Sequence, residues 1–162
     1  MKKLNAKELK TLKLLHIIYA MLWTVGVLAM VLLLLLEVQS GDELFIKYKA
    51  VRLIDNALVI PSAIITVLIG IFYGIKTNWG FFKFKWITVK WIVSIIIILG
   101  GTFYLSPLLD TNLIIADETR DTALSNMLID HNESTIFIIG CCSSILLLVL
   151  VGISVFKPWK NK

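Results

Sequence analysis

The chain has 162 residues, a formal net charge of +5, 58% hydrophobic content and a mean hydropathy of +0.87. That much apolar surface, collected in blocks, excludes an ordinary soluble domain of this size and sets the expectation of a single membrane domain. The lysines flank the apolar blocks, so the positive balance reads as a topology signal and as contact with the lipid bilayer, and it excludes a nucleic-acid partner.

Met1 to Lys13 holds five lysines against one glutamate and precedes an uncharged run over residues 14–36, about one bilayer thickness at helical rise. This run is the first predicted span. It is too long for a cleavable secretory signal and lacks a small-x-small cleavage site, so it is expected to stay in the mature protein. His16, Tyr19, Trp23, Gly26 and Met30 recur at spacings of three and four, which puts them on one helical seam.

Glu37 to Asp55 mixes both signs of charge with Leu44, Phe45, Tyr48 and Val51, the pattern of an interfacial helix running into a second span over 56–75. Pro61 sits in the first turns of that span, where helix breaking is mild. Ser62, Thr66, Gly70 and Gly74 repeat every four residues, and such a row admits a close neighbour, including a second copy in a homo-oligomer. Lys76 to Lys85 is a tight connection with Asn78, Trp79 and Gly80 as turn residues. The third span follows over 86–109, with Gly100 and Gly101 midway and Pro107 near its exit.

Asp110 to Ser134 sets six carboxylates against Arg120 alone, and Ala116 to Ile129 is expected as a short surface helix with Ala123, Leu124, Met127 and Leu128 towards the membrane. The fourth span covers 135–156, with Gly140, Ser144 and Gly152 at multiples of four. Lys157, Trp159, Lys160 and Lys162 form a basic, aromatic anchor. The lysine bias puts the N-terminus, the second loop and the C-terminus in the cytoplasm. The reading is all-α: a four-transmembrane-helix bundle of a plasma membrane with both termini cytoplasmic.

The chemistry centres on Lys90, an ammonium inside the third span about 7 Å beyond Lys85 at helical rise. His16 lies at the same depth in the first span, and the antiparallel second span delivers Tyr73 there. An intramembrane lysine is costly and usually faces protein or a water-filled cavity. His16, Tyr19, Trp23, Tyr73, Lys90 and Trp91 therefore define a candidate cytoplasmic-side pocket for a planar or anionic small molecule, with haem or porphyrin as the leading cofactor. In that pocket Lys90 pairs with a carboxylate, His16 serves as metal ligand or proton carrier, and the aromatic rings stack. In the competing readings Lys90 snorkels to the headgroups over Trp86 or makes a purely structural interhelical hydrogen bond, and His16 is an ordinary seam residue. His131 falls on the far side of the membrane, so ligation by two histidines within one chain is not expected. With Asp130 and Glu133 it reads as a solvated loop. Cys141 and Cys142 point about 100° apart on a helix and read as packing residues. No phosphate-binding glycine loop, nucleophile elbow or HExxH motif occurs, so no enzyme class is assigned.

The segments LKLLHIIYAMLW, RLIDNALVIPSAIITVLIGIFYG and TNWGFFKFKWITVKWIVSIIIILGGTFYLSP together resemble a family of bacterial four-span integral membrane proteins defined as a domain of unknown function. The resemblance implies a four-helix inner-membrane protein with no established activity. A looser similarity runs to the bacterial membrane protoporphyrinogen oxidase and the copper-resistance D-type membrane domains. It implies functional roles for a first-span histidine and a third-span lysine, here His16 and Lys90. Two functions stand side by side: a ligand-binding or redox module, and a structural or accessory membrane protein without cofactor. Transport is a third, weakened by few deep charges and no inverted repeat.

Overall fold

A computed structural model describes residues 5–77 and 80–159. Its helices are α1 (Ala6–Leu34), α2 (Gly41–Ile54), α3 (Ile60–Lys76), α4 (Lys85–Gly100), α5 (Ser106–Thr119) and α6 (Met127–Phe156). A π-helical turn, Asp55–Val59, joins α2 to α3, and a second, Gly101–Leu105, joins α4 to α5. A 3-10 turn, Arg120–Ser125, follows α5. The result is four continuous rods, 6–34, 41–76, 85–125 and 127–156, each long and apolar enough to cross a membrane.

The rods exceed the spans read from the sequence. Thirty-six residues from Gly41 to Lys76 reach about 54 Å at helical rise, against a hydrocarbon core of about 30 Å. The surplus lies at the acidic end, where α2, α5 and the first turns of α6 carry seven of the eleven carboxylates. The interfacial helix expected before the second span is α2, continuous with it. The surface helix expected over Ala116–Ile129 is not one helix. Arg120, at φ 46°, ends α5, and the Asn126 side chain accepts the Leu128 N–H at 2.9 Å to start α6. Ala123, expected towards the membrane, is 1% exposed and packs inward, while Met127 is 85% exposed. Asp130, His131 and Glu133 lie in the opening turns of α6 and not in a loop.

Local chemistry fixes the helix starts. Asn5 and Glu8 form a reciprocal capping box, and Ser40 accepts the Glu43 N–H at the start of α2. Gly41 is fixed by its neighbour: a Cβ there would stand 2.1 Å from the Arg120 carbonyl carbon, and its N–H donates to Asp121 Oδ1 at 2.8 Å. This clasp ties the start of α2 to the end of α5.

Helix α1 packs against α3 and α6, α4 packs against α6, and α2 packs against α5. Close approach is set by small residues. A Cβ on Gly26 would meet Val59 at 2.7 Å, and one on Gly140 would meet Val31 at 2.8 Å. The row Ser62, Thr66, Gly70, Gly74 is used inside the chain: Ser62 and Thr66 are buried, Gly70 lies under Trp91, and Gly74 lies under Phe81. Two cores result. One, at the acidic end, gathers Leu34, Leu44, Tyr48, Val51, Leu109, Ala116, Ala123, Ile129 and Ile136; the other, in the spans, gathers Trp23, Ala63, Ile97 and Leu147. The expected turn residues Asn78 and Trp79 and the anchor residues Lys160 and Lys162 lie outside the described residues.

Candidate binding site

In the lysine-rich half, all four rods contribute a polar side chain to one level. His16 on α1 is half-buried, and its ring stands edge-on to Tyr73 of α3, with centroids 6.1 Å apart. The Tyr73 hydroxyl donates to the Leu9 carbonyl at 3.2 Å, tying the end of α3 to the start of α1. Lys90 on α4 turns inward: its ammonium donates to Ser154 Oγ on α6 at 2.7 Å, and it lies within electrostatic reach of the His16 ring. The Ser154 hydroxyl donates to the Leu150 carbonyl at 2.7 Å, so its oxygen is oriented to accept from the lysine.

The six residues read from the sequence are not all brought together. His16, Tyr73 and Lys90 share the level. Trp23 lies deeper, 3% exposed, in the apolar core with Ala63, Ile97 and Leu147. Trp91 covers Gly70 and meets Phe81 at 5.8 Å between centroids, so it seals α4 against α3. Tyr19 is half-buried on the same α1 face as His16. Two residues were missed. Ser154 carries no pattern of its own, and Thr66 was read only as a small residue in a packing row.

Thr66 matters because of what it lacks. Among the described residues two buried side-chain atoms have no hydrogen-bond partner, His16 Nδ1 and Thr66 Oγ1. Both belong to this level, since the His16 ring reaches the Thr66 backbone across the α1–α3 contact. An unsatisfied buried polar atom costs about 1–3 kcal/mol, so two of them on the packed faces of α1 and α3 mark a place where a polar guest would restore bonding. The Tyr73 ring stands edge-on to His16, and a recess of about 370 Å³ on this half is lined by Lys7, Glu8, Thr11, Leu12, Leu15 and Phe72, so none of the six residues read from the sequence lines it.

The acidic end holds a second polar cluster, invisible to spacing arguments and fully bonded. Glu133 accepts from Tyr48 Oη and, at 2.9 Å, from Lys47 Nζ, which is 5% exposed in its side chain. Asn112, wholly buried, donates to Tyr48 Oη and to the Ile129 carbonyl, both at 3.2 Å, and accepts from Asn132 at 2.9 Å. Burial, followed by the Glu133 carboxylate, pushes the Tyr48 hydroxyl well above the usual phenol range, so it remains a donor. Nearby, Arg52 bonds Asp55 and Ser106 at 2.9 Å each and also pairs with Asp110, tying the π-helical turn after α2 to the start of α5. With every partner satisfied, this cluster is a fastening between α2, α5 and α6.

Among the described residues no three His, Cys, Asp or Glu side chains converge as a metal site, and Cys141 and Cys142 are free thiols. Comparison of the chain with protein-family models, with curated proteins and with solved structures gave no match.

Proposed function

We propose that this chain is a multi-pass protein of a bacterial inner membrane, both termini in the cytoplasm, that binds a compact anionic ligand between its helices at the lysine-rich end. The observation that carries the reading is the pair of unpartnered buried atoms, His16 Nδ1 and Thr66 Oγ1, at the level where Lys90 turns inward. Lys90 supplies the counter-charge, His16 and Thr66 supply directed hydrogen bonds, and Ser154 positions the ammonium. The orientation rests on the lysines at one end of the rods and the carboxylates at the other. A carboxylate or phosphate group matches these donors; porphyrin carboxylates share the chemistry, but the macrocycle would need α1 and α3 to part.

The test is thermal unfolding of the detergent-purified protein, followed by tryptophan fluorescence, with succinate, inorganic phosphate and haem as probes. A stabilisation by succinate or phosphate that disappears in Lys90→Gln and in Thr66→Val supports the site. A Soret band lost in His16→Ala would instead favour the tetrapyrrole. No stabilisation by any of the three refutes the binding reading.

A second reading, a structural or accessory protein without cofactor, is favoured by the third rod. Gly100 and Gly101 have nothing within 4 Å, and Ile96 and Phe103 are 60% and 74% exposed, so the third rod offers an open apolar face at the end of α4 to a partner helix. Because Gly70 and Gly74 are covered by the chain's own rings, a homo-oligomer would form through α4. Cross-linking through single cysteines at residues 96 and 103 in a Cys141→Ser/Cys142→Ser background reads it out.

A further inference from the structure

The recess at the lysine-rich end lies outside the His16 site and has a different character. The first turns of α1 and the last turns of α3 leave between them an open hollow of about 370 Å³, lined by Lys7, Glu8, Thr11, Leu12, Leu15 and Phe72. Its wall is apolar and open, with Leu15 and Phe72 40% and 42% exposed. Two lysines stand at or near it. Lys7 borders it, and Lys76 reaches over Phe72 with Nζ 5.8 Å from the ring centroid. The one acid of the lining is already engaged, since Glu8 Oε2 accepts the Asn5 N–H at 2.7 Å in the capping box. Among the described residues neither Lys7 nor Lys76 is within ion-pair distance of a carboxylate.

The hollow also sits where the chain changes solvent. Lys7 and Lys76 belong to the charged flanks of the first two spans, Leu15 and Phe72 belong to their apolar ends, and Leu12 lies between on α1. We propose that this recess is a binding site for one anionic phospholipid, its phosphate held between Lys7 and Lys76 and an acyl chain lying along Leu12, Leu15 and Phe72. Charge complementarity selects the headgroup, because two ammoniums without carboxylate partners favour a net negative lipid over a zwitterionic one that carries its own cation. The apolar wall favours a lipid over a free anion, because only a lipid couples the anionic group to an acyl chain that can lie along Leu15 and Phe72.

Native mass spectrometry of the full chain, titrated with equal amounts of phosphatidylglycerol and phosphatidylcholine, tests this directly. The wild type should retain phosphatidylglycerol in preference. Lys7→Gln/Lys76→Gln should weaken that retention about tenfold or more, and Lys83→Gln/Lys85→Gln, which removes the same charge nearby, should change it by less than about twofold. Leu15→Ser/Phe72→Ser should weaken both lipids. Equal losses in the two lysine pairs would mean diffuse attraction and overturn the site. Full competition by millimolar inorganic phosphate would assign the lysines to a free anion and overturn the lipid. All variants are compared at matched helicity by circular dichroism, so that a folding defect is recognised.

Discussion

Asn112→Ala is the perturbation that most directly measures the acidic-end fastening. Asn112 is wholly enclosed, and its amide serves Tyr48, Ile129 and Asn132 at once. Truncation leaves the Asn132 amide, itself 3% exposed, without its acceptor, and takes a donor from the Ile129 carbonyl. One stranded buried donor costs about 1–3 kcal/mol, and the lost bonds to Tyr48 and Ile129 add about 1 kcal/mol, giving about 2–4 kcal/mol. Against a typical stability of about 5–15 kcal/mol this is a large share. The assay is unfolding of the purified protein in mixed micelles by added dodecyl sulfate, followed by tryptophan fluorescence. Asn112→Ala/Asn132→Ala should cost less than the sum of the two single changes by about 1 kcal/mol or more, because the second removes the group stranded by the first. Thr119→Ala, whose hydroxyl bonds only the Ile115 carbonyl of its own helix, should stay within about 0.5 kcal/mol. A single-variant loss below about 0.5 kcal/mol, with additive doubles, would mean that water reaches the cluster, and the fastening argument would fail.

Other expectations follow from separate contacts. Gly41→Ala places a Cβ against the Arg120 backbone and should open the clasp between α2 and α5, seen as faster proteolysis near residue 120. Gly140→Ala, pressed against Val31, should destabilise by about 1 kcal/mol or more, while Gly152→Ala, with open space around it, should stabilise by a few tenths through helix propensity. Thr66→Val removes an unpartnered hydroxyl and should raise the thermal midpoint of the ligand-free protein by a few degrees while abolishing binding of the compact anion. Tyr48 holds its proton more tightly folded than unfolded, so its contribution is complete below about pH 10 and is lost as pH rises above it. Unfolding measured from pH 9 upward should therefore show a fall that Tyr48→Phe makes shallower. Lys90, turned onto Ser154, should react with amine reagents more slowly than Lys85, and equal rates would return it to the headgroups.

The membrane architecture was legible because hydrophobic length is a one-dimensional property: an apolar run of bilayer length announces a span whatever packs on it. The rod lengths were not legible. Charges in Glu37–Asp55 and Asp110–Ser134 look like loops when loop and polar helix share a composition, and the π-helical turns that carry the rods onward leave no periodic signature. Tyr48, Asn112 and Glu133 come from three helices separated by 64 and 21 residues, so only the fold reveals that they meet. At the lysine-rich end the reverse held. His16, Tyr73 and Lys90 could be set at one depth by counting residues from the charged flanks, because antiparallel spans of known rise act as rulers. Depth also sets Trp23 apart in the apolar core, but it says nothing of azimuth, and azimuth separated Trp91 from that group and brought in Thr66 and Ser154.

That difference between depth and azimuth bears on what the two ends can do. At the acidic end water is available outside, yet the interior polar groups are all mutually bonded, so a guest would have to break a bond to make one. At the lysine-rich end, lipid surrounds the helices, bonding is scarcer, and two interior atoms are left open. In a medium that offers no replacement partners, open groups persist only where something fills them or where their cost is tolerated. Replacing Thr66 by valine separates these cases. A variant that is more stable and still supports every property of the wild type would make the open atoms mere imperfections. A variant that gains stability and loses the anion would make them the binding surface.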